Sequence, residues 1–164
     1  MEVRTMAEVS RAETLRILDS VPLFSGLTKR QLTTVAKVVD HASFQAGDVL
    51  VKELEVGQRL IIIREGTAEV NRRGIVTQQG KGAEQGTGRR LATVGPGDVV
   101  GELSLIDGKR TSASVVADTP METLVIYRTR FTKLLDSTPA MCQRLLVGLA
   151  ARLRAIDQRT DFIG

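Results

Sequence analysis

Residue types that build disulfides, metal sites and membrane spans are scarce in this 164-residue chain. The single cysteine, Cys142, rules out a disulfide within the chain and makes the cytoplasm the expected location. The single histidine, His41, cannot supply the several ligands that a cupin-type metalloenzyme needs, so we expect no metal site. No apolar run reaches about 18 residues, and the N-terminus lacks the apolar core of a signal peptide, so we expect no membrane partner.

Aromatic residues and excess charge are also limited. The chain has no tryptophan, one tyrosine and four phenylalanines, and its net charge of +4 comes from 23 basic and 19 acidic residues spread along the sequence. A nucleic-acid-binding domain usually shows a basic face, stacking aromatics or a recognition helix. A winged DNA-reading module would also need residues after the last helix, and the sequence ends shortly after it. We therefore expect no contact with nucleic acid.

The sequence changes rhythm twice, which predicts three regions within a single domain, 1–164. Residues 7–38 have a helical apolar period, and Thr28 with Gln31 has the pattern of a capping box. Residues 39–128 hold short β-branched runs between glycine-containing turns, which predicts an antiparallel β-roll of the jelly-roll type. Residues 129–160 are helical again. The expected strands are 49–52, 59–64, 67–72, 90–94, 112–117 and 122–127. The predicted fold class is mainly β with flanking helices.

A glycine- and glutamine-rich stretch, 74–88, separates two of the expected strands. Its composition and position predict a long hairpin loop. A tolerated surface insertion is the simpler interpretation of this loop, and a docking loop for a partner is the alternative.

The C-terminal region predicts a hinge helix around 131–136 and a long helix over 140–160, introduced by Pro139. Five residues of the long helix recur at the a/d spacing of a coiled-coil seam. They are Cys142, Leu146, Leu149, Leu153 and Ile156. This seam is expected either to pack on the barrel or to join a homodimer or an effector protein. Cys142 is expected to be a buried small hydrophobe and not a nucleophile.

The most informative segment is GELSLIDGKRTSAS, which begins at Gly101. Gly101 and Gly108 bracket a stretch long enough for one helical turn, whose first backbone N–H groups would face an anion. Arg110 adds a guanidinium suited to a bidentate grip on phosphate, and Thr111 and Ser112 add hydroxyl donors. Together these features predict a phosphate-binding loop.

Glu102 needs a separate explanation, because a carboxylate beside a phosphate site is repelled. A Glu and an Arg eight residues apart usually form only a weak surface ion pair. Glu102 fits the segment if it accepts hydrogen bonds from sugar hydroxyls while Arg110 balances its charge. One carboxylate for a ribose 2′-OH, and one arginine with amides for a singly charged phosphate, match a cyclic nucleotide monophosphate.

The sequence VGELSLIDGKRTSASV resembles the phosphate-binding cassette of cyclic nucleotide-binding domains. These domains occur in the catabolite activator protein family, the regulatory subunits of cyclic-AMP-dependent kinase and cyclic-nucleotide-gated channels. Similar pieces occur at LFSGL, AGDVLVKE, REGTAEV and LATVGPGDVVGE, so the resemblance spans about residues 15–160. It implies a non-catalytic sensor or regulatory domain without a bound cofactor, whose ligand is cyclic AMP or cyclic GMP. The implied binding residues are Gly101, Glu102, Leu103, Ser104, Arg110, Thr111 and Ser112.

The resemblance also implies what individual residues do. Glu102 would bind the ribose 2′-OH and Arg110 the cyclic phosphate, while backbone amides around the first cassette turn add to the phosphate cradle. Thr111 suits either base, and the bacterial style of the cassette favours cyclic AMP over cyclic GMP. The final helix usually caps the purine, which by position falls to Leu153 or Ile156.

Two positions depart from the family pattern. Val100 stands where an aromatic often precedes the cassette glycine, and Leu54 stands where the common K-E-G-E turn has glycine. Two alternatives to a sensor stay open: a domain of the same fold that lost its ligand and serves as a scaffold, and the sensor half of a truncated transcription regulator. Retention of both Glu102 and Arg110 argues against the scaffold, and the absence of a general base or metal cluster argues against an enzyme.

Overall fold

The computed structural model describes residues 9–72 and 89–160, so the predicted loop 74–88 lies outside the described residues. The chain divides into two compact units, one made of residues 41–125 and the other of the helical segments before and after them. The helices are α1 (Arg11–Asp19), α2 (Lys29–Ala36), α3 (Glu102–Asp107), α4 (Arg128–Ser137) and α5 (Pro139–Thr160), with a 3₁₀ turn at Pro22–Phe24. The strands are β1 (Val39–Phe44), β2 (Val49–Val51), β3 (Arg59–Glu65), β4 (Ala68–Arg72), β5 (Arg89–Val94), β6 (Val99–Val100), β7 (Ser114–Ala117) and β8 (Met121–Tyr127).

The strands form two four-stranded sheets, with the orders β1-β8-β3-β6 and β2-β7-β4-β5. Four consecutive residues of β3, from Leu60 to Ile63, are all buried, as expected for a strand at the centre of a roll. Antiparallel pairing places Ile61 opposite Val100, so β3 lies directly beside the strand that leads into the cassette. The antiparallel β-roll of the sequence prediction is therefore confirmed, and all six expected strands occur.

Helix α2 begins where the sequence predicts. The Thr28 hydroxyl accepts a hydrogen bond from the Gln31 amide at 3.2 Å, and the Gln31 side chain accepts one from the Thr28 amide at 3.0 Å. This reciprocal pair is the predicted capping box. Phe24 and Phe131, both fully buried, pack with ring centroids 6.1 Å apart in the core of the helical unit.

Helix α5 buries a different face from the predicted seam. Met141, Leu145 and Gly148 are the buried residues among 139–158, and a Cβ added to Gly148 would lie 3.1 Å from the Leu23 carbonyl oxygen. The expectation that Cys142 is buried is wrong, because the structure exposes it. Leu149 is half-buried, and Leu146, Leu153 and Ile156 are 65%, 63% and 53% exposed. Gly26 and Gly148 lack side chains, so the backbone of α5 can approach the backbone of residues 22–26 closely. Across residues 9–72 and 89–160, no helix combines the length and apolar character needed to cross a membrane.

Candidate functional site

The cassette begins with a left-handed glycine. Gly101 follows β6 with φ of +81° and caps α3, and Gly108 ends α3 with φ of +62°. A Cβ on Gly101 would lie only 2.3 Å from the Arg59 carbonyl oxygen, so both the backbone conformation and the space require glycine here. The first amides of α3 have no acceptor within the helix, so they remain donors at its N-terminal end.

The first turn of α3 alternates buried and exposed side chains. Glu102 and Ser104 are each 8% exposed, whereas Leu103 is 63% exposed. A Cβ on Gly57 would lie 2.1 Å from the Cβ of Ser104, so the turn before β3 packs closely on the cassette. The role of the Leu103 backbone amide in a phosphate cradle stays a prediction.

Arg110 and Thr111 are held by the turn over residues 52–55. The Arg110 guanidinium donates to the Leu54 carbonyl at 2.7 Å, and the Thr111 hydroxyl donates to the Lys52 carbonyl at 2.6 Å. Backbone hydrogen bonds of 2.9 Å run from the Leu54 amide to the Thr111 carbonyl and from the Thr111 amide to Glu55. The pairing of these two segments was not predicted from the sequence.

These bonds leave different hydrogen-bonding capacity on the two side chains that are predicted to bind the ligand. The Arg110 guanidinium has five N–H groups, so a bond to Leu54 leaves donors for a phosphate. A threonine hydroxyl has one proton, and Thr111 donates it to Lys52. In this conformation the Thr111 oxygen can act towards a further group only as an acceptor, whereas the sequence analysis expected a donor.

A cavity of about 220 Å³ lies beside the cassette within the β-roll unit. Its lining includes two predicted residues, Gly101 and Thr111, together with the turn before β3. Arg59 also lines it and was missed, because a charged residue at the start of an apolar strand gives no distinctive signal. The Arg59 guanidinium donates to the Leu50 carbonyl at 2.9 Å and lies 5.4 Å from the centre of the Phe44 ring. Glu102 and Arg110 do not line this cavity.

The other predicted residues do not line this cavity. Ser112 is exposed, and its carbonyl accepts a hydrogen bond from the Nε of Arg72 at 3.0 Å. Leu153 and Ile156 belong to α5 in the helical unit, and their role as a base cap stays a prediction. No group of three or more His, Cys, Asp or Glu residues suited to a metal ion occurs in the part of the chain that the structure describes.

The sequence profile described as cyclic nucleotide-binding domain matches residues 41–138, more than half of the chain. This chain belongs to the cyclic nucleotide-binding domain family. The matched range contains the β-roll and the whole cassette, so the segment that carried the resemblance lies inside the family match.

Relatives and solved structures resemble this chain over most of its length. It is 29% identical over 142 residues to the cyclic AMP receptor protein of Thermus thermophilus, covering 87% of this chain and 62% of that protein. It matches the crystal structure of the N-terminal domain of a transcriptional regulator from Streptomyces coelicolor with a TM-score of 0.71 and 28% identity, covering 87% of this chain and 93% of that one. A third match is the regulatory subunit of a cAMP-independent protein kinase A from Trypanosoma cruzi bound to guanosine, with a TM-score of 0.62, 29% identity and coverage of 77% and 41%. The chain spans less than two thirds of the length of the curated relatives it matches.

One departure from the family pattern has a visible consequence. Leu54, at the position where the common family turn has glycine, adopts φ of +66°. This left-handed conformation is one that glycine adopts freely and a bulky side chain does not. Leu54 adopts this conformation in the turn, and its carbonyl accepts the bond from Arg110.

Proposed function

We propose that this cyclic nucleotide-binding domain is a non-catalytic sensor that binds cyclic AMP in preference to cyclic GMP. The observation that carries the proposal is the cassette itself. A buried Glu102 lies at the start of α3, whose first amides lack helical acceptors, and Arg110 follows the turn with guanidinium donors to spare.

The two ends of the cassette suit the two polar parts of a cyclic nucleotide. The cyclic phosphate carries one negative charge, which Arg110 balances while the amides of Leu103 and Ser104 donate hydrogen bonds. The Glu102 carboxylate accepts a hydrogen bond from the ribose 2′-OH. A linear monophosphate carries more charge than one arginine balances, so we expect it to bind more weakly.

The choice between cyclic AMP and cyclic GMP depends on the relatives' names and on the cassette sequence. The name of the Thermus thermophilus relative supports cyclic AMP, as does the bacterial style of the cassette. The Trypanosoma cruzi structure is named as cAMP-independent and holds guanosine, so likeness to it supports the alternative. The Thr111 oxygen, which accepts in this conformation, suits the exocyclic amino group of either purine.

A sensor also needs an output, which we propose to be α5. Ligand binding would shift the cassette, α4 would follow, and Leu153 or Ile156 would then cap the base. The exposed apolar residues of α5 would join a homodimer or an effector protein. In a longer chain the same domain would be the sensor half of a transcription regulator.

Calorimetric titration of the full chain with cyclic AMP, cyclic GMP and linear AMP tests the proposal. We expect binding of both cyclic ligands, tighter for cyclic AMP, and a loss of about 10- to 100-fold in affinity for Arg110→Ala. Glu102→Ala should lose a similar factor and no longer discriminate against 2′-deoxy cyclic AMP. Lys109→Ala removes an exposed cation next to Arg110 and serves as the control. Unchanged affinity in both cassette variants would refute the assignment of the pocket.

A further inference from the structure

Arg72 is an exposed residue at the end of β4, on the same face of the sheet as the buried Ala68. In the β4–β7 pair, Ala68 lies opposite Ala117 and Val70 opposite Val115. Ala68, Ala117 and Val115 are all buried, so these pairs mark the inner face. Because side chains alternate along a strand, Arg72 projects from the same face as Ala68 and Val70.

Glu69 and Asn71, which alternate with the inner-face residues along β4, project from the opposite face. Glu69, one of them, forms an ion pair with Arg90 of β5 at 3.2 Å. Arg90 thus has its charge partner on the outer face, whereas Arg72 carries its charge on the inner face. Both arginines are exposed, and they project from opposite faces of the sheet.

The guanidinium of Arg72 is tied to the cassette. Its Nε donates to the Ser112 carbonyl at 3.0 Å, and Ser112 is two residues past Arg110. Among residues 9–72 and 89–160 this is the only hydrogen bond or ion pair of the Arg72 side chain. The two Nη atoms therefore hold four N–H donors beside the cassette that no described residue occupies.

We propose that Arg72 binds the N7 edge of the purine ring of the cyclic nucleotide. This inference rests on the proposed function, and it adds a base contact from a residue outside the cassette. The single charge of the cyclic phosphate is already balanced by Arg110, so a second guanidinium is better matched to uncharged acceptors. The purine offers such acceptors, and the apolar side chain of Val70 beside Arg72 suits its ring.

The geometry of the two purines makes the contact unequal. N7 is an acceptor in both adenine and guanine, so Arg72 binds either base through it. Guanine adds the O6 acceptor, whereas adenine has an amino group there that donates and opposes a second N–H. Arg72 therefore reduces the preference for cyclic AMP over cyclic GMP, and removing it increases that preference.

The test combines a protein change with a matching ligand change. Wild type, Arg72→Ala and the control Arg90→Ala are titrated by calorimetry with cyclic AMP, cyclic GMP and 7-deaza cyclic AMP, which lacks N7. We expect wild type and Arg90→Ala to bind 7-deaza cyclic AMP about tenfold more weakly than cyclic AMP. Arg72→Ala should bind cyclic AMP about tenfold more weakly than wild type, show no further loss with the 7-deaza ligand, and lose more for cyclic GMP.

Each other result contradicts the inference. Unchanged affinity of Arg72→Ala, or a 7-deaza penalty that persists in it, would remove Arg72 from the purine edge. If Arg72→Ala fails to fold, as circular dichroism would show, equal affinity of wild type for cyclic AMP and the 7-deaza ligand would overturn the contact. Wild type that binds no cyclic nucleotide would refute the proposed function itself, an outcome distinct from a failure of Arg72 alone.

Discussion

Leu54 offers a stability prediction that can be worked out from the structure. It adopts φ of +66° in the turn that holds Arg110, at a position where related domains commonly have glycine. Its side chain is 62% exposed, so little apolar burial depends on it. We expect Leu54→Gly to stabilise the folded chain, which is unusual for the removal of a large side chain.

The expected magnitude is a difference between two opposing effects. A left-handed conformation costs a non-glycine residue about 1–2 kcal/mol, which Leu54→Gly removes. Glycine has more conformational freedom in the unfolded chain, which lowers the free energy of unfolding by about 0.5–1 kcal/mol. The hydrogen bonds of the turn run through the Leu54 backbone and are retained. The net stabilisation should lie between about 0 and 1.5 kcal/mol, which raises Tm by up to about 6 °C for a chain of this size.

Equilibrium unfolding in urea, followed by circular dichroism, measures this difference directly. Gly97→Ala is the matched control, because Gly97 has φ of +90° and nothing lies within 4 Å of an added Cβ. That variant introduces the left-handed cost without a steric clash, so we expect it to destabilise by about 1 kcal/mol. Leu54→Gly that destabilises the chain, while Gly97→Ala behaves as expected, would refute the reasoning about the turn.

Two further predictions concern glycines that allow close contact. Gly101→Ala should destabilise the β-roll by more than about 2 kcal/mol, because it combines φ of +81° with a Cβ 2.3 Å from the Arg59 carbonyl oxygen. Urea unfolding measures this loss, and a cost no larger than that of Gly97→Ala would contradict the predicted clash. Gly26→Ala places a Cβ 2.4 Å from the Arg144 carbonyl oxygen on α5, so we expect slower-exchanging amides around Arg144 to lose protection in hydrogen exchange. Unchanged protection there would mean that α5 does not pack against this glycine.

Much of the site could be predicted because it is local in sequence. The spacing of Gly101 and Gly108 predicts a short helix between two glycines, which the structure has at Glu102–Asp107, and such a pattern needs no distant residue. The capping box of Thr28 and Gln31 is local in the same sense, and the structure reproduces it. The strand positions follow from runs of β-branched residues between turns.

The remaining features depend on residues that are far apart in the chain. The turn over 52–55 meets Arg110 and Thr111 only because β2 and β7 pair, and no local pattern indicates that pairing. The heptad spacing in α5 was a real periodicity that led to a wrong conclusion about burial at Cys142. A helix has several apolar stripes of similar quality, and the small residues Gly26 and Gly148 decided which one was buried.

The sequence by itself determined the fold class and the chemistry of the cassette, because β-branched runs, glycine turns and the Glu102–Arg110 spacing act over short distances. The tertiary structure alone decided which groups surround that cassette. In it the Thr111 hydroxyl donates to the Lys52 carbonyl. Arg72 lies on the inner sheet face, and its Nε donates to the Ser112 carbonyl. These contacts depend on strand register, which is fixed by the packing of whole sheets and not by any one segment.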